Sequence, residues 1–411
     1  METLSEELLD QILSEVARSH LQFGRNDYGT LLSLSLVSRQ IHRITEPHLY
    51  RSVVLQGHES NILRTLERQR AFSHHVKEVS IQDDFDFIDA KDSFAFAVKL
   101  LPLLPNLREL HINMDAIPIS SLAKILELVS VETLRLTCVQ AEQSDDWDTD
   151  QWSCTNVYIK TLDISFEDPV SRWEDCDDIL KLAQALPNLS YLKVRNHNND
   201  GAWSSMDASV FRCLVKAFCS TFQDTLLGLE FQYNDSNHTS DHVGIERMSD
   251  LFDACGILLR SSIEHIKTDT NCLLRNSPPR PRSLAIAPLC LPATLRKLYL
   301  RHKVNLDGRA SNKASLAYFE ESQCLAQLLT SLGKRNKFPV LETVTLAIFL
   351  PEWFAGMAST IVRRYARQKP VMKLILCPWF EYDDRDISKS WPKYNIAQDP
   401  RIPSYHGSYL Q

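Results

Sequence analysis

A six-residue apolar pattern, φxxφxφ with φ apolar, recurs ten times along this chain and constrains its fold more than any other feature. The copies are Val76-Val79-Ile81, Leu107-Leu110-Ile112, Val131-Leu134-Leu136, Ile159-Leu162-Ile164, Leu189-Leu192-Val194, Leu226-Leu229-Phe231, Ile263-Ile266-Thr268, Leu295-Leu298-Leu300, Leu341-Val344-Leu346 and Val371-Leu374-Leu376. Thr268 is the one non-apolar residue among the thirty, and successive copies start 24 to 46 residues apart. The last two apolar positions of each copy are two residues apart, which places them on one face of a strand. The first, three residues earlier, closes the turn leading in.

Between the strands the period changes to that of a helix. Leu122, Ile125, Leu126 and Val129 form one apolar stripe, as do Ile179, Leu182, Ala183 and Leu186, and Phe211, Leu214, Val215, Phe218 and Phe222. Further stripes are Met248 to Leu259, Leu325-Leu328-Leu329-Leu332 and Phe354 to Tyr365. Prolines 105, 187 and 339 stand just ahead of strands, where they stop a helix and push the chain extended. Strand and helix alternating about every 30 residues make the chain α/β. A doubly wound sheet alternates in the same way, but its strands are longer apolar runs and its first turn is rich in glycine.

Composition narrows the functional classes. With 45 Lys and Arg against 52 Asp and Glu the chain carries −7, which opposes binding of a long polyanion, so no nucleic-acid partner is expected. Only 11 glycines occur in 411 residues, and no GxxxxGK[ST], GxGxxG or GxSxG string is present. The ten cysteines contain no CxxC pair and read as reduced, buried thiols. The start is acidic, unlike a secretory leader, and the most apolar stretch, Phe94 to Leu104, is broken by Lys99 and Pro102. An intracellular protein of cytoplasm or nucleus, without a membrane partner, is expected.

Residues 3–50 depart from the repeat. Leu8, Leu9, Ile12, Leu13 and Val16 make a tight helical stripe, capped by Thr3 or Ser5 with Glu6 and Glu7 in the first turn. After a polar loop, Leu31, Leu34, Val37, Ile41 and Ile44 make a second stripe. Such a unit is too small to hide both stripes, and apolar helix faces left over mark a partner surface. Each residue has packing on its neighbours as the competing use.

Two resemblances follow. The strand-and-helix repeats resemble leucine-rich repeats over residues 76–376, with the ladder asparagine three residues after the last apolar position present only at Asn234 and Asn271. The segments Leu4-Ser5-Glu6-Glu7-Leu8-Leu9-Asp10-Gln11-Ile12-Leu13 and Leu31 to Ile41, with Val37-Ser38-Arg39-Gln40-Ile41, resemble an F-box. Ser5 replaces that family's proline and Ile41 its tryptophan. Residues 47–55 resemble the first sheet strand that follows many such boxes. The resemblance implies an all-α F-box-like unit at 1–50, a leucine-rich-repeat-like solenoid at 51–376 and an aromatic C-terminal cap or tail at 377–411.

It also implies a function: the non-catalytic substrate-recognition subunit of a Skp–cullin–F-box ubiquitin ligase, needing no cofactor or metal. Leu4, Leu8, Ile12, Leu13, Leu34, Val37 and Ile41 would meet a Skp-type adaptor, and through it a cullin. A leucine-rich-repeat scaffold whose degenerate box no longer engages the adaptor is the alternative. For the client, two acidic strings with tryptophans follow repeat strands and suit a basic peptide. Their candidate residues are Asp146, Trp147, Asp148, Trp152 and Trp173, against which stands a plain helix-capping and loop-packing use. His238 and His242 are four apart but lack the HExxH glutamate, and the basic, proline-rich run from Arg275 to Arg282 reads as an exposed linker.

Overall fold

The computed structural model describes residues 5–21, 28–55, 60–82, 90–113, 116–117, 119–137, 140–141, 154–166, 182–197, 218–234, 261–269, 291–302, 325–333, 337–349, 361, 372–379 and 394–395. The chain divides into two compact units, Met1–Ser165 with Gln184–Asn188, and Phe166–Ala183 with Leu189–Gln411. The division falls inside the repeats, not at the end of the N-terminal helices.

The first unit opens with three helices, α1 (Glu6–Leu21), α2 (Tyr28–Ser35) and α3 (Arg39–Leu49), followed by β1 (Ser52–Leu55), α4 (Ser60–Arg68), α5 (Arg70–Ser73) and β2 (Glu78–Gln82). It continues with α6 (Ala90–Leu100), β3 (Glu109–Asn113), β4 (Ala116–Ile117), α7 (Ile119–Leu128), β5 (Thr133–Thr137), β6 (Gln140–Ala141) and β7 (Thr161–Phe166). Strands β1, β2, β3, β5 and β7 pair in that order, all parallel. The two-residue strands β4 and β6 pair separately. In the second unit β8 (Tyr191–His197), β9 (Gly228–Asn234), β10 (His265–Asp269), β11 (Lys297–His302), β12 (Thr343–Phe349) and β13 (Lys373–Trp379) are parallel neighbours. The short β14 (Tyr394–Asn395) adds antiparallel to β13.

Every described residue of the repeating apolar pattern is buried, from Val76 to Leu376, Thr268 included. The odd step within the pattern requires a local adjustment. Two residues three apart in a pure strand point to opposite faces, yet Leu107 and Leu110 both face the core. The chain absorbs the extra residue by letting two successive N–H groups donate to one carbonyl of the preceding copy. Arg108 and Glu109 donate to Lys77 O at 2.8 and 3.0 Å, and Arg296 and Lys297 to Glu264 O at 2.8 and 2.9 Å. The same pair recurs at Lys77-Glu78, Glu132-Thr133, Lys160-Thr161, Leu227-Gly228, Glu264-His265 and Glu342-Thr343. A carbonyl has two lone pairs, so the arrangement leaves none of these donors unmet.

Polar side chains tie the turns together at positions the ladder asparagine of the resemblance does not occupy. Asn106 Nδ2 donates to His74 O and Asn188 Nδ2 to Val157 O, both at 2.8 Å. Thr294 Oγ1 reaches Ile263 O at 2.9 Å, and Ser262 Oγ lies between Gln223 O and Leu226 O. Each of these four residues directly precedes the first apolar position of its copy. Asn156 is the most engaged: Nδ2 donates to Leu126 O and Val129 O at 2.8 Å each, while Oδ1 accepts from Tyr158 N at 2.9 Å and Ile159 N at 3.2 Å.

The helices cover the inner side of the sheet in each unit. Leu122, Ile125 and Leu126 of α7 are buried, as are Leu325, Leu328, Leu329 and Leu332 of the helical segment 325–332. The apolar run Phe94 to Leu104 serves the core: α6 carries Phe94, Ala97 and Leu100 inward, and a single 3₁₀ turn holding Pro102 (Leu101–Leu103) buries Leu101. Cys154 and Cys219 are free and buried, and burial pushes the Cys154 thiol up, with Glu127 adding to the effect. The stripe Met248 to Leu259 lies outside the described residues.

Candidate functional site

The three N-terminal helices fold around a very small core. Leu13 of α1, Leu31 of α2 and Ile44 of α3 are buried together, with Leu9, Val16, Leu34 and Leu49 packed partly against them. Ser5 caps α1, its Oγ accepting from Leu8 N at 3.3 Å. Hydrogen bonds to its own backbone N–H and to Ser5 hold the Glu7 carboxyl below the usual carboxylate range. Ser38 caps α3 by accepting from Ile41 N at 3.2 Å. The stripe running from Leu31 to Ile44 in the sequence is therefore broken by a turn at 36–38. There, Leu36 N and Val37 N donate three residues back, to Ser33 O and Leu34 O.

Polar links supplement that core. Glu6 holds Arg43 and, at 3.3 Å, Gln40, while Asp10 Oδ1 lies 2.9 Å from His48 Nε2, joining α1 to α3. These pairs are exposed on at least one side and add little stability each, about 0.2–1 kcal/mol. They fix the arrangement of helices whose apolar contacts are few.

On α2 and its following turn, buried Leu31 is accompanied by apolar residues that face water. Ser35 is buried, its hydroxyl satisfied by Leu32 O at 2.7 Å, while Leu32, Leu36 and Val37 are 54%, 80% and 65% exposed. Leu8 and Ile12 of α1 are exposed as well. A shallow, open depression on α2 and its turn is lined by Gly29, Thr30, Ser33, Leu34 and Val37. Exposed apolar residues scattered singly need no explanation, but here five fall within one three-helix unit whose core is very small.

The sequence-derived residues divide accordingly. Leu8, Ile12 and Val37 are outward, Leu34 and Ile41 are half-buried, and Leu13 belongs to the internal core, because α1 turns it between Leu31 and Ile44. Leu36 and Leu32 escaped the sequence reading because they lie off the 3–4 spacing. Their signal was the run Leu31-Leu32-Ser33-Leu34-Ser35-Leu36-Val37, which has more apolar residues than one face can take. Leu4 lies outside the described residues, and so do Asp146, Trp147, Asp148, Trp152, Trp173, His238, His242 and the run from Arg275 to Arg282.

The outer faces of the two strand series carry the remaining polar chemistry. In the first unit His111 bridges strands, with Nδ1 3.3 Å from Ser80 Oγ and Nε2 2.8 Å from Thr137 Oγ1. Gln82 Nε2 donates to Ser80 Oγ at 3.1 Å. Both ring nitrogens are thus engaged. Arg135 Nε lies 3.3 Å from Oδ2 of the buried Asp163, an ion pair without hydrogen-bond alignment. In the second unit Lys267 Nζ sits 2.8 Å from Glu230 Oε1 and 5.4 Å from the Tyr299 ring centroid. Among the described residues no group of three His, Cys, Asp or Glu is placed to hold a metal, and no helix is long and apolar enough to cross a membrane.

No protein-family model matches the chain, and no curated protein sequence matches it. Among solved structures it is similar to the crystal structure of a TLR13–ssRNA13 complex, at 12% identity over 80% of this chain with a TM-score of 0.32. The match spans 38% of that chain's length, and so slight a likeness carries no argument.

Proposed function

We propose that this protein is the substrate-recognition subunit of a Skp–cullin–F-box ubiquitin ligase. In this reading the N-terminal helices hold a Skp-type adaptor, and a leucine-rich-repeat-like solenoid holds the client. The observation that carries the reading is α2 with its turn, which buries Ser35 and exposes Leu32, Leu36 and Val37, together with the exposure of Leu8 and Ile12 on α1. A helix and turn that keep Leu31 inside yet leave Leu32, Leu36 and Val37 in water suit another protein's groove. The solenoid part is supported by one parallel strand per repeat and by the paired donors that recur at the entries of β2, β3, β5, β7 and β9 to β12. The subunit would perform no bond-breaking itself. It would raise the effective concentration of a client lysine near a conjugating enzyme held elsewhere in the complex.

Co-purification with a Skp-type adaptor tests the reading. Ile12→Asp places a charge on an exposed position, so stability should change by no more than about 0.5 kcal/mol while adaptor capture is lost. Leu13→Ala, by contrast, should cost about 2–5 kcal/mol because that side chain fills the core. Wild-type protein that captures no adaptor at micromolar concentration would leave the scaffold reading, which the replacements at Ser5 and Ile41 favour.

A further inference from the structure

The outer face of the second unit's strands is basic, in a chain whose total charge is −7. Alternation along β8 to β13 turns Leu192, Leu229, Ile266, Leu298, Val344 and Leu374 inward, all buried. The opposite parity carries Lys193, Arg195, Lys267, Lys297 and Lys373, with Glu230 facing both Lys193 and Lys267, while Arg301 at the same parity is buried. Lys267 is paired with Glu230, whereas Lys297 and Lys373 stand exposed with Thr343 between them. Burial, and then the neighbouring Lys297, hold the His265 imidazole below its ordinary pKa, with Arg296 acting the same way and Glu264 and Glu342 opposing.

Register fixes the spacing of these charges. Lys193, Glu230 and Lys267 share one row across β8, β9 and β10, and Lys297, Thr343 and Lys373 share another across β11, β12 and β13. The two lysines of each row are two strands apart, about 10 Å. In an extended, polyproline-like peptide, residues three apart lie on one side at about 9–10 Å. Between the cations lie aromatic surfaces. Tyr299 lies under Lys267, and the 41% exposed Tyr191 ring covers Gly228, where a Cβ would come within 2.3 Å of its Cδ1. Aromatic rings flanked by cations are typical of surfaces where a few residues carry most of the binding.

We propose that this face binds an acidic peptide segment of a partner protein, with carboxylates three residues apart taken by Lys297 and Lys373 and with Lys193 adding positive charge on the same face. The acidic chain as a whole opposes a long polyanion but not a short segment carrying a few charges. In the receptor reading the segment belongs to the client, and the proposal rests on that reading only for the partner's role.

The test uses the whole protein without adaptor, so a failure here is separable from a failure of adaptor capture. The probe is a fluorescein-labelled peptide of about twelve residues with glutamate at every third position, compared with its lysine counterpart and a single-stranded RNA of equal charge. Fluorescence anisotropy should show binding of the glutamate peptide alone, weakening as salt rises from about 0.05 to about 0.3 M. Lys193→Gln and Lys297→Gln should each weaken binding about two- to fivefold, at unchanged melting temperature. If either variant is unstable, Lys373→Gln replaces it, since that side chain is exposed. No binding at low salt, or an affinity unmoved by the lysine variants, overturns the proposal. Tighter binding of the RNA overturns it in favour of a nucleic-acid partner.

Discussion

The strand series of the two units are alike in the chemistry of their inner faces and differ in that of their outer ones. Inward, β2, β3, β5 and β7 carry Val79, Leu110, Leu134 and Leu162, and β9 to β12 carry Leu229, Ile266, Leu298 and Val344 in the equivalent positions. Outward, the first unit has Arg135 as its one strand cation against Glu78, Glu109 and Asp163, whereas the second has Lys193, Arg195, Lys267, Lys297 and Lys373, with Glu230 facing two of them. The difference teaches where folding exerts control. Burial leaves no latitude on the inner side, because each leucine there is worth about 1.5–3 kcal/mol. The outer side contributes little to stability, so its chemistry is free to serve something else.

The largest test of this comparison concerns the turns. Asn156→Ala removes four hydrogen bonds at about 1 kcal/mol each and should cost about 4 kcal/mol in chemical denaturation, whereas Thr294→Ala at a turn of the second unit should cost about 1 kcal/mol. Equal losses would show that the turns are tied alike in both units. Next come the inner faces. Leu134→Ala and Leu298→Ala should each destabilise by about 2–5 kcal/mol, and by similar amounts, if the inner faces are equivalent. A clear disparity would break the equivalence on which the comparison stands.

The smallest effect distinguishes the outer faces. His265 has a depressed pKa in the folded protein, against an ordinary value of 6.5. Just below 6.5 the unfolded chain therefore binds the proton more readily than the folded one. Its contribution to stability is fully present above that value and is lost as the pH falls through it towards the folded pKa. Melting temperatures measured from about pH 7.5 to about pH 5.5 should fall less steeply for His265→Gln than for wild type. Identical slopes would show that neither burial nor the neighbouring Lys297 and Arg296 disfavours the protonated ring.

Much of this was legible in the chain. The φxxφxφ copies locate β2, β3, β5 and β7 through β13 because an alternating strand repeats every two residues, a purely local signal. The helices at 60–68 and 90–100 were not read, since α4 is short and α6 merges with the apolar run to Leu104. Strands β4 and β6 escaped for a different reason: two residues have no period. At the candidate site, the surplus of leucines over 31–37 was visible, but not which of them would face outward. That depended on the turn at 36–38 and on the serine caps at Ser5 and Ser38, which set how the helices meet.

By itself, then, the sequence determined which residues are buried in each repeat and that strands and helices alternate. Those properties follow from spacing within a dozen residues and from the cost of leaving apolar side chains in water. The tertiary structure decided the rest: Leu13 inside and Ile12 outside, Asn156 joining turns 27 to 30 residues apart, and lysines on separate strands brought onto two register rows. Adjacency across strands depends on register, and register sums contributions from residues far apart in the chain. No local window contains that sum, which is why a chain of net charge −7 holds a basic face that its composition gives no sign of.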